Sequence, residues 1–458
     1  MDHEEEHLLG SEEAEQVVRA EKAAKFQHER RRTLPWVMGG IAGVFAISTL
    51  LLLAALVWRK DGFTDGSKDA TYPDPTVPDH SNHTELLSLT SPDGKFYTMW
   101  WSTADAYNGN VIPHPRKQDV FLMVAHERYD GAGAHKRHEL FCEAHFQGNY
   151  LVCANDAVPL PVSDPVPNTC PEPFQRRDGG PRDARVFYGP DHPYVIYGSL
   201  SQYTCIGLWV QDARMLLEPF RSEREFVEVY NEITEIGRPE PWSVIEKNYF
   251  LFWSEGKRYA HYNLYPERHF AELDDDGTAG TDLALVTAEQ DGQCIAKYMP
   301  ELGPGKESIH QATNSLSITL CKRSDVNCEP DENNTFIMEI FHHKTYFNFH
   351  GVYEPYVVLF QSVAPFAIHA ISTRPLWIHG RTALTEKTRS AQYRGPGKTI
   401  PSGHTEMFYI TSINWRTVGQ HYHGYLDDPV FLGFGIEDTR SGVMDVRAGD
   451  LMHGLAYC

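Results

Sequence analysis

Short apolar runs separated by turn residues are the feature that most limits how this chain can fold. Gly, Pro, Asp and Asn interrupt these runs, as in GPDHP and DDDG, and the runs are rich in aromatic and β-branched residues. This pattern predicts β-strands. The clearest examples are DVFLMVAHE (119–127), YVIYGS (194–199), YFLFWS (249–254), DLALVTA (282–288), SLSITLC (315–321), TFIMEIFHH (335–343), YVVLFQS (356–362), PFAIHAIS (365–372), EMFYITSINW (406–415) and DPVFLGFGIED (428–438).

So many strands at regular spacing predict an all-β fold, either a β-propeller or a large sandwich. A propeller accommodates this length in one domain, and polar residues at the strand ends can meet in its funnel. One segment, EREFVEVYNEI (223–233), is predicted to be helical.

An uncharged segment near the N-terminus, TLPWVMGGIAGVFAISTLLLLAALVW (33–58), predicts a transmembrane helix. About 20 apolar residues span a bilayer, whereas a cleaved signal peptide has a shorter apolar run closer to the N-terminus. Basic residues are more numerous before the segment than after it, which predicts a cytosolic N-terminus. The predicted parts are a cytosolic tail (1–32), the transmembrane helix, a Pro- and Asp-rich stem (59–90) and a large lumenal domain (91–458).

Cysteine usage agrees with a lumenal domain in the secretory pathway. All eight cysteines follow the uncharged segment, and an even number in an oxidising compartment predicts disulfide bonds. The pairs Cys142–Cys153 and Cys321–Cys328 would close short loops. Two glycosylation sequons begin at Asn82 and Asn333. The expected location is the Golgi or another secretory-pathway membrane, with a type II orientation.

The formal net charge of -21 argues against nucleic acid as a partner, because phosphate binding requires clustered Lys and Arg. The sequence also lacks a Gly-X-Ser-X-Gly elbow and a Gly-rich phosphate loop.

The tripeptide Asp-Ala-Arg occurs twice, at 183–185 and at 212–214. The first copy precedes two strands in hairpin order, and the second leads into ARMLLEPF without a comparable turn. We therefore predict that Asp183 is the site residue. Asp212 is predicted to cap a turn or to pair with Arg214. The structural alternative for Asp183 is a turn-capping residue paired with Arg185.

Three segments carry a resemblance to a known family. GPRDARVFYGPDHPYVIYGS (180–199) resembles the Gly-X-Glu-Asp-Pro-Arg signature of the five-bladed-propeller mannoside phosphorylases, which fungal β-1,2-mannosyltransferases also have. SVIEKNYFLFW (243–253) and HYHGYLDDPVFLGFGIEDTRSGVMDV (421–446) are similar to later segments of the family. Asp183 and Arg185 match the signature, whereas Arg182 stands where the family has Glu and Ala184 where it has Pro.

The resemblance implies a five-bladed β-propeller and an inverting glycosyltransferase, a mannosyltransferase that takes a nucleotide-sugar donor and extends a glycan acceptor. Asp183 would act as the catalytic base. The predicted substrate-binding residues are Arg185, Lys247, Asn248, His423, Asp428 and Asp438. Each also has a structural alternative, as an ion pair, an exposed strand-edge residue, a turn residue or simple packing. The functional alternatives are a glycoside hydrolase or phosphorylase, or a membrane-anchored propeller that binds glycans without catalysis.

We expect no metal cofactor. Asp274 and Asp276 in DDDG form an Asp-X-Asp, the arrangement that holds a divalent ion in many Golgi transferases. Those enzymes usually have an α/β nucleotide-binding domain, and this sequence has no alternation of strands and helices. DDDG is therefore predicted to be a polar turn. His421 and His423 could form a metal pair, but no third ligand is apparent.

Overall fold

The computed structural model describes residues 78–128, 138–162, 180–303, 307–347, 350–385 and 403–458. The predicted tail, the predicted transmembrane helix and the predicted stem up to residue 77 lie outside these residues. Within the described ranges, none of the helices has the length and apolar character needed to cross a membrane.

The described chain is dominated by β-strands, which confirms the all-β prediction. The strands are β1 (Thr84–Leu86), β2 (Tyr97–Trp100), β3 (Ala106–Pro113), β4 (Phe121–Glu127), β5 (Glu139–Gln147), β6 (Tyr150–Cys153), β7 (Val158–Pro159), β8 (Arg182–Tyr188), β9 (Pro193–Leu200), β10 (Ile206–Asp212), β11 (Thr234–Glu235), β12 (Phe250–Ser254), β13 (Lys257–Asn263), β14 (His269–Leu273), β15 (Ser308–Gln311), β16 (Leu316–Thr319), β17 (Thr335–Phe347), β18 (His350–Gln361), β19 (Ile368–Ser372), β20 (Leu376–Ile378), β21 (Phe408–Trp415), β22 (His423–Tyr425), β23 (Pro429–Ile436), β24 (Arg440–Arg447) and β25 (Leu455–Tyr457).

Most strands pair antiparallel with their neighbours in the chain, and they form five sheets, of which the pair β1 and β20 is the smallest. The sheets built on β8–β11, β12–β14 and β15–β19 are called groups 2, 3 and 4, and the two ends of the nine-stranded sheet are called groups 1 and 5. Group 1 contains β3 to β7, group 2 contains β8 to β11, and group 3 contains β12 to β14. Group 4 is built on β15 to β19, with β22 and β25 at its edges. Group 5 contains β21, β23 and β24, and β2 joins it to group 1, because β2 pairs antiparallel with β24 and parallel with β6. Groups 1 and 5 therefore form one continuous sheet.

The buried hydrophobic residues lie between neighbouring groups. One cluster joins groups 1 and 2, a second joins groups 2 and 3, and a third joins groups 3, 4 and 5. A fourth cluster joins group 5 back to group 1. The packing therefore runs through all five groups and returns to the first. Strands β3, β8 and β21 also contact one another, so the first strands of groups 1, 2 and 5 meet.

The helices differ from the prediction in two places. The segment 223–233, predicted to be an α-helix, contains only the end of a 3-10 helix, η1 (Glu218–Phe226). The segment 282–288, predicted as a strand, contains the short 3-10 helix η2 (Ala284–Val286) and leads into helix α2 (Ala288–Tyr298). Leu285 and Val286 are exposed, so this apolar run does not belong to a buried sheet. Two one-turn helices, α1 (Ala213–Leu216) and α3 (Ala448–Leu451), complete the described set.

Both predicted disulfide bonds are present. Cys142–Cys153 joins β5 to β6, and Cys321–Cys328 closes a short loop after β16. A third bond that the sequence did not predict, Cys294–Cys458, ties α2 to the last residue of the chain. Its two cysteines lie 164 positions apart in the sequence, so of the three bonds between described residues it constrains the unfolded chain most strongly.

Both sequon asparagines, Asn82 and Asn333, are exposed. We expect both to be glycosylated if the domain enters the secretory pathway, since the acceptor amide is accessible at each site. Treatment with an N-glycosidase should then increase the gel mobility of the full chain in two steps, and each of Asn82→Gln and Asn333→Gln should remove one. An unchanged mobility, or protease digestion of this domain in sealed microsomes, would contradict the predicted orientation.

Candidate functional site

Asp183 lies at the first end of β8, at a break in the strand pairing. The register between β8 and β9 shifts between Arg182 and Arg185, and the φ angle of Asp183 is 52°. A non-glycine residue in this left-handed region is uncommon and costs backbone energy. The bulge turns the Asp183 side chain out of the strand alternation, and solvent reaches the side chain.

Asn108 holds the Asp183 carboxylate from the neighbouring group. Its Nδ2 donates a hydrogen bond of 2.9 Å to Oδ1 of Asp183. Asn108 also lies at a bulge, between β3 and β4, and its φ is 56°. Gly435 leaves room for the Asn108 amide, because a Cβ at position 435 would lie 2.0 Å from the Asn108 oxygen. The second glycine of the GFG sequence in β23 is therefore needed for the Asn108 side chain to fit beside this strand.

A buried pair supports the backbone that follows Asp183. Glu139 and His126 are both buried, and the Nδ1 atom of His126 lies 2.6 Å from a Glu139 oxygen. The other oxygen of Glu139 accepts a hydrogen bond of 3.2 Å from the backbone N–H of Ala184. Asn110 donates to the carbonyl of the same residue at 2.8 Å. Both backbone polar groups of Ala184 are thus bonded by group 1 side chains.

The electrostatic surroundings keep Asp183 ionised. Burial by the surrounding walls would raise its pKa. The charge of His126, the hydrogen bond from Asn108 and the charge of Arg185 outweigh burial and hold the pKa of the Asp183 carboxyl below its ordinary value, with a smaller contribution from Arg182. An ionised carboxylate that solvent can reach is able to accept a proton at neutral pH.

Asp438 is a second carboxyl group near Asp183. It follows β23, its φ is 47°, and it is half-buried. Burial, followed by the negative charges of Asp183 and Glu437, raises the pKa of Asp438 to about 6. Neighbouring carboxyl groups whose pKa values are driven apart are typical of acid–base chemistry.

Arg185 and Asn248 form the opposite side of the site. Arg185 is buried, and its guanidinium donates a hydrogen bond of 2.9 Å to Oδ1 of Asn248. Asn248 has a φ of 62°, and its backbone carbonyl accepts a 3.0 Å hydrogen bond from Gln311. The resemblance segments 180–199 and 243–253 therefore meet at this contact.

Lys247 and Lys344 add positive charge on the same side. Lys247 is exposed and Lys344 is half-buried. Burial, together with the charges of these two lysines, lowers the pKa of His310 to about 3, so His310 is neutral. Lys344 also acts on Asp438, whose pKa it lowers slightly. The site thus combines two carboxyl groups with cationic side chains.

A chain of hydrogen bonds leads from the half-buried His404 towards Asp438. The Nε2 atom of His404 lies 2.8 Å from Nδ1 of His350. The Nε2 atom of His350 lies 2.8 Å from Oε1 of Glu437, the residue that precedes Asp438. Burial lowers the pKa of His404 to about 4. This chain holds the backbone at the Asp438 end of β23.

Two predicted site residues, His423 and Asp428, lie elsewhere. Asp428 precedes β23 and Asp438 follows it, so the strand holds the two carboxyl groups at opposite ends. Asp428 pairs with Arg323, and His423 lies 2.8 Å from Oγ1 of Thr319. The structure therefore brings together Asp183, Arg185, Asn248 and Asp438, with Lys247 nearby, and it separates His423 and Asp428 from them.

The structure confirms the predicted local role of Asp212. Its Oδ1 caps α1 by accepting a hydrogen bond of 2.8 Å from the backbone N–H of Arg214. The guanidinium of Arg214 also donates to both carboxylate oxygens. Both side chains are buried, and this pair is separate from the contacts of Asp183.

DDDG forms a turn after β14, as predicted. The N–H of Gly277 donates to the carbonyl of Asp274 at 3.0 Å, and Asp276 accepts a 2.9 Å hydrogen bond from Thr278. Within the described ranges, no group of three or more His, Cys, Asp and Glu side chains is arranged to hold a metal ion. The expectation that the protein uses no metal stays a prediction.

Sequence reasoning missed Asn108, Lys344, His350, His404 and Glu437. The signal at Asn108 was present, because NGN inside an otherwise apolar strand indicates a bulge. The other residues lie on β17, on β18 and at the edges of group 5, where pairing between strands brings them to Asp438. Nothing in their spacing along the chain indicates this proximity.

No protein-family model matches the chain, and no curated protein matches it. Among solved structures, β-1,2-mannobiose phosphorylase from Listeria innocua is 11% identical with a TM-score of 0.43, over 83% of this chain and 99% of that one. A GDP-Man-dependent mannosyltransferase from Leishmania mexicana is 12% identical with a TM-score of 0.38, over 78% and 91%. A thermostable family-43 glycoside hydrolase is 10% identical with a TM-score of 0.35, over 77% and 92%.

Proposed function

We propose that the chain is an inverting glycosyltransferase in which Asp183 is the general base. The observation that carries this proposal is an ionised carboxylate within reach of solvent, held by Asn108 beside cationic groups. In glycosyl transfer an acceptor hydroxyl must lose its proton as it attacks the anomeric carbon. Asp183 would take that proton, and the oxygen of the acceptor would form the new bond as the donor's leaving group departs.

The cationic side of the site favours a phosphorylated donor. A nucleotide diphosphate leaves as an anion and requires positive charge more than a protein acid. Arg185, Lys247 and Lys344 would supply this charge, and the planar fork of Arg185 suits a phosphate. The proposed donor sugar is mannose, which rests on the resemblance of residues 180–199 to the mannoside signature. The proposed acceptor is a glycan hydroxyl.

The proposed architecture is a five-bladed β-propeller in which each strand group is one blade. This is supported by the hydrophobic packing, which passes through the five groups and returns to the first. We further propose a type II protein of the Golgi or another secretory-pathway membrane, anchored by residues 33–58. The support is the uncharged segment and the disulfide bonds in the described domain.

A second candidate is glycoside cleavage by phosphate or water. The observation that favours it is the pKa of about 6 of Asp438, because cleavage requires an acid that protonates the departing glycosidic oxygen. In that reaction Asp438 would donate the proton and Asp183 would assist the attacking group.

The two candidate functions predict different dependences of the reaction rate on pH. If Asp438 is the acid, glycoside cleavage should fall as pH rises through about 6, because the carboxyl loses its proton there. Nucleotide-sugar transfer needs only the ionised Asp183 and should keep its rate above that pH. The measurement is initial rate over about pH 4 to 8. Asp438→Asn should lower cleavage and remove this fall, because an amide cannot donate the proton, and Asp119→Asn, at an exposed turn between β3 and β4, is the matched control.

A substrate panel tests the proposed function directly. The full chain is incubated with nucleotide sugars including GDP-mannose, with and without an oligosaccharide acceptor, and with a mannobiose with and without inorganic phosphate. Nucleotide release that depends on acceptor supports the transferase. Sugar phosphate or free sugar without nucleotide supports the second candidate, and binding without turnover of any substrate contradicts both.

A further inference from the structure

An open cavity of about 1200 Å³ lies at the end of the strands opposite Asp183. Asp183 stands at the first end of β8, whereas the turn Pro190–His192, beyond the last residue of β8, lines the cavity. Asp428 also lines it, and the eight residues of β23 separate Asp428 from Asp438 by about 25 Å. The cavity is therefore separate from the candidate catalytic site.

Aromatic side chains from several groups form part of the cavity wall. Trp253 is half-buried and packs against Tyr422, with ring centroids 5.0 Å apart. Tyr194 lies 5.4 Å from the same indole ring. Phe226, at the end of η1, is 64% exposed. Packing against Tyr194 and Tyr422 holds Trp253 in place, and Phe226 adds an exposed aromatic ring to the cavity wall.

A guanidinium is held in place at the same wall. Arg323 donates to Asp428 through Nε at 2.8 Å and through Nη2, and its Cζ lies 4.3 Å from the ring centroid of Tyr425. The Arg323 side chain is 51% exposed. Asp428 also accepts hydrogen bonds from Gln420 and from the backbone of Tyr425. This arrangement fixes the direction of the Arg323 donors before any ligand arrives.

We propose that this cavity is a second binding site, for an oligosaccharide. Its volume exceeds the roughly 300 to 1,000 Å³ of ordinary small-molecule sites, so it has room for several sugar rings. Aromatic faces suit the apolar faces of sugars, and fixed polar groups suit their hydroxyls. Charged side chains of both signs line the wall: Arg258 and Arg323 are positive, and Glu228 and Glu255 are negative. A neutral ligand fits this mixture better than an anion does.

His423 and Asp428, predicted from the sequence to bind sugar, belong to this cavity. Asp428 acts through Arg323, and His423 lines the wall directly. The two sites share no residue, so oligosaccharide binding in this cavity is independent of the chemistry proposed for Asp183.

The test measures oligosaccharide binding by the full chain with isothermal titration calorimetry. The probes are β-1,2-linked mannotetraose, cellotetraose and chitotetraose. Phe226→Ala should weaken the affinity for at least one probe by about tenfold, which is the loss expected when one aromatic contact is removed. Thr417→Trp, at an exposed residue of the wall, should block binding. Tyr203→Ala, at an exposed aromatic residue outside the cavity, should leave the affinity unchanged.

Asp183→Asn distinguishes the two sites. It should leave this binding intact while turnover falls, whereas Tyr203→Ala should leave both binding and turnover unchanged. Failure of the unmodified chain to bind any of the three probes would overturn the second site. Binding that Asp183→Asn removes, or that Thr417→Trp leaves intact, would overturn it as well, because the ligand would then sit elsewhere.

Discussion

Asp183→Asn is expected to lower turnover by about 10²- to 10⁴-fold, the usual contribution of general acid–base catalysis. The substitution keeps the shape of the side chain and removes the proton acceptor. The effect should appear in kcat, because the amide can still contact Asn108 and the substrate. The measurement is steady-state kinetics with the active substrate of the panel, together with donor affinity and the unfolding midpoint of the full chain.

Asn108→Ala is the companion variant for the same site. It removes the hydrogen bond to Asp183 without removing the carboxylate, so the Asp183 pKa should rise towards its ordinary value. The acid limb of the pH–rate profile should then move to higher pH, and turnover at neutral pH should fall less than in Asp183→Asn. Full activity of Asp183→Asn would rule out the proposed base.

Asp212→Asn is expected to cost about 3–5 kcal/mol of folding free energy, because it leaves the buried Arg214 charge without its partner. The pair is almost inaccessible to solvent: the Asp212 side chain is 1% exposed and that of Arg214 is 6%. The amide retains an oxygen that can cap α1, so the loss should come mainly from the unpaired charge. The measurement is denaturant unfolding of the full chain.

The double variant Asp212→Asn with Arg214→Met provides the control. Removing both charges should recover much of the lost stability, because the buried charge that needs a partner is gone. Activity per folded molecule should be unchanged in either variant. An equal loss of turnover in Asp183→Asn and Asp212→Asn, with normal folding in both, would show that the two Asp-Ala-Arg copies had been assigned different roles incorrectly.

Local features of this protein were readable from the sequence. Runs such as DVFLMVAHE and TFIMEIFHH became strands that are buried almost continuously, as expected for a short apolar and β-branched run that is covered on both faces. The close cysteine pairs and the Asp212–Arg214 contact were also predictable, because their partners lie only a few residues apart. The error at residues 282–288 has the same origin, since an apolar run alone does not show whether a sheet will receive it.

Only the tertiary structure decided which polar residues share a site. Asp428 and Asp438 flank the two ends of β23, and tertiary packing decides their surroundings: Arg323 pairs with Asp428, whereas Asp438 lies near Asp183. Asn108 meets Asp183 across 75 residues of sequence, and Arg185 meets Asn248 across 63. Such contacts depend on how the strand groups pack around one another, and no local spacing encodes that packing. The sequence therefore determined which residues could carry chemistry, and the packing of the groups determined which of them meet.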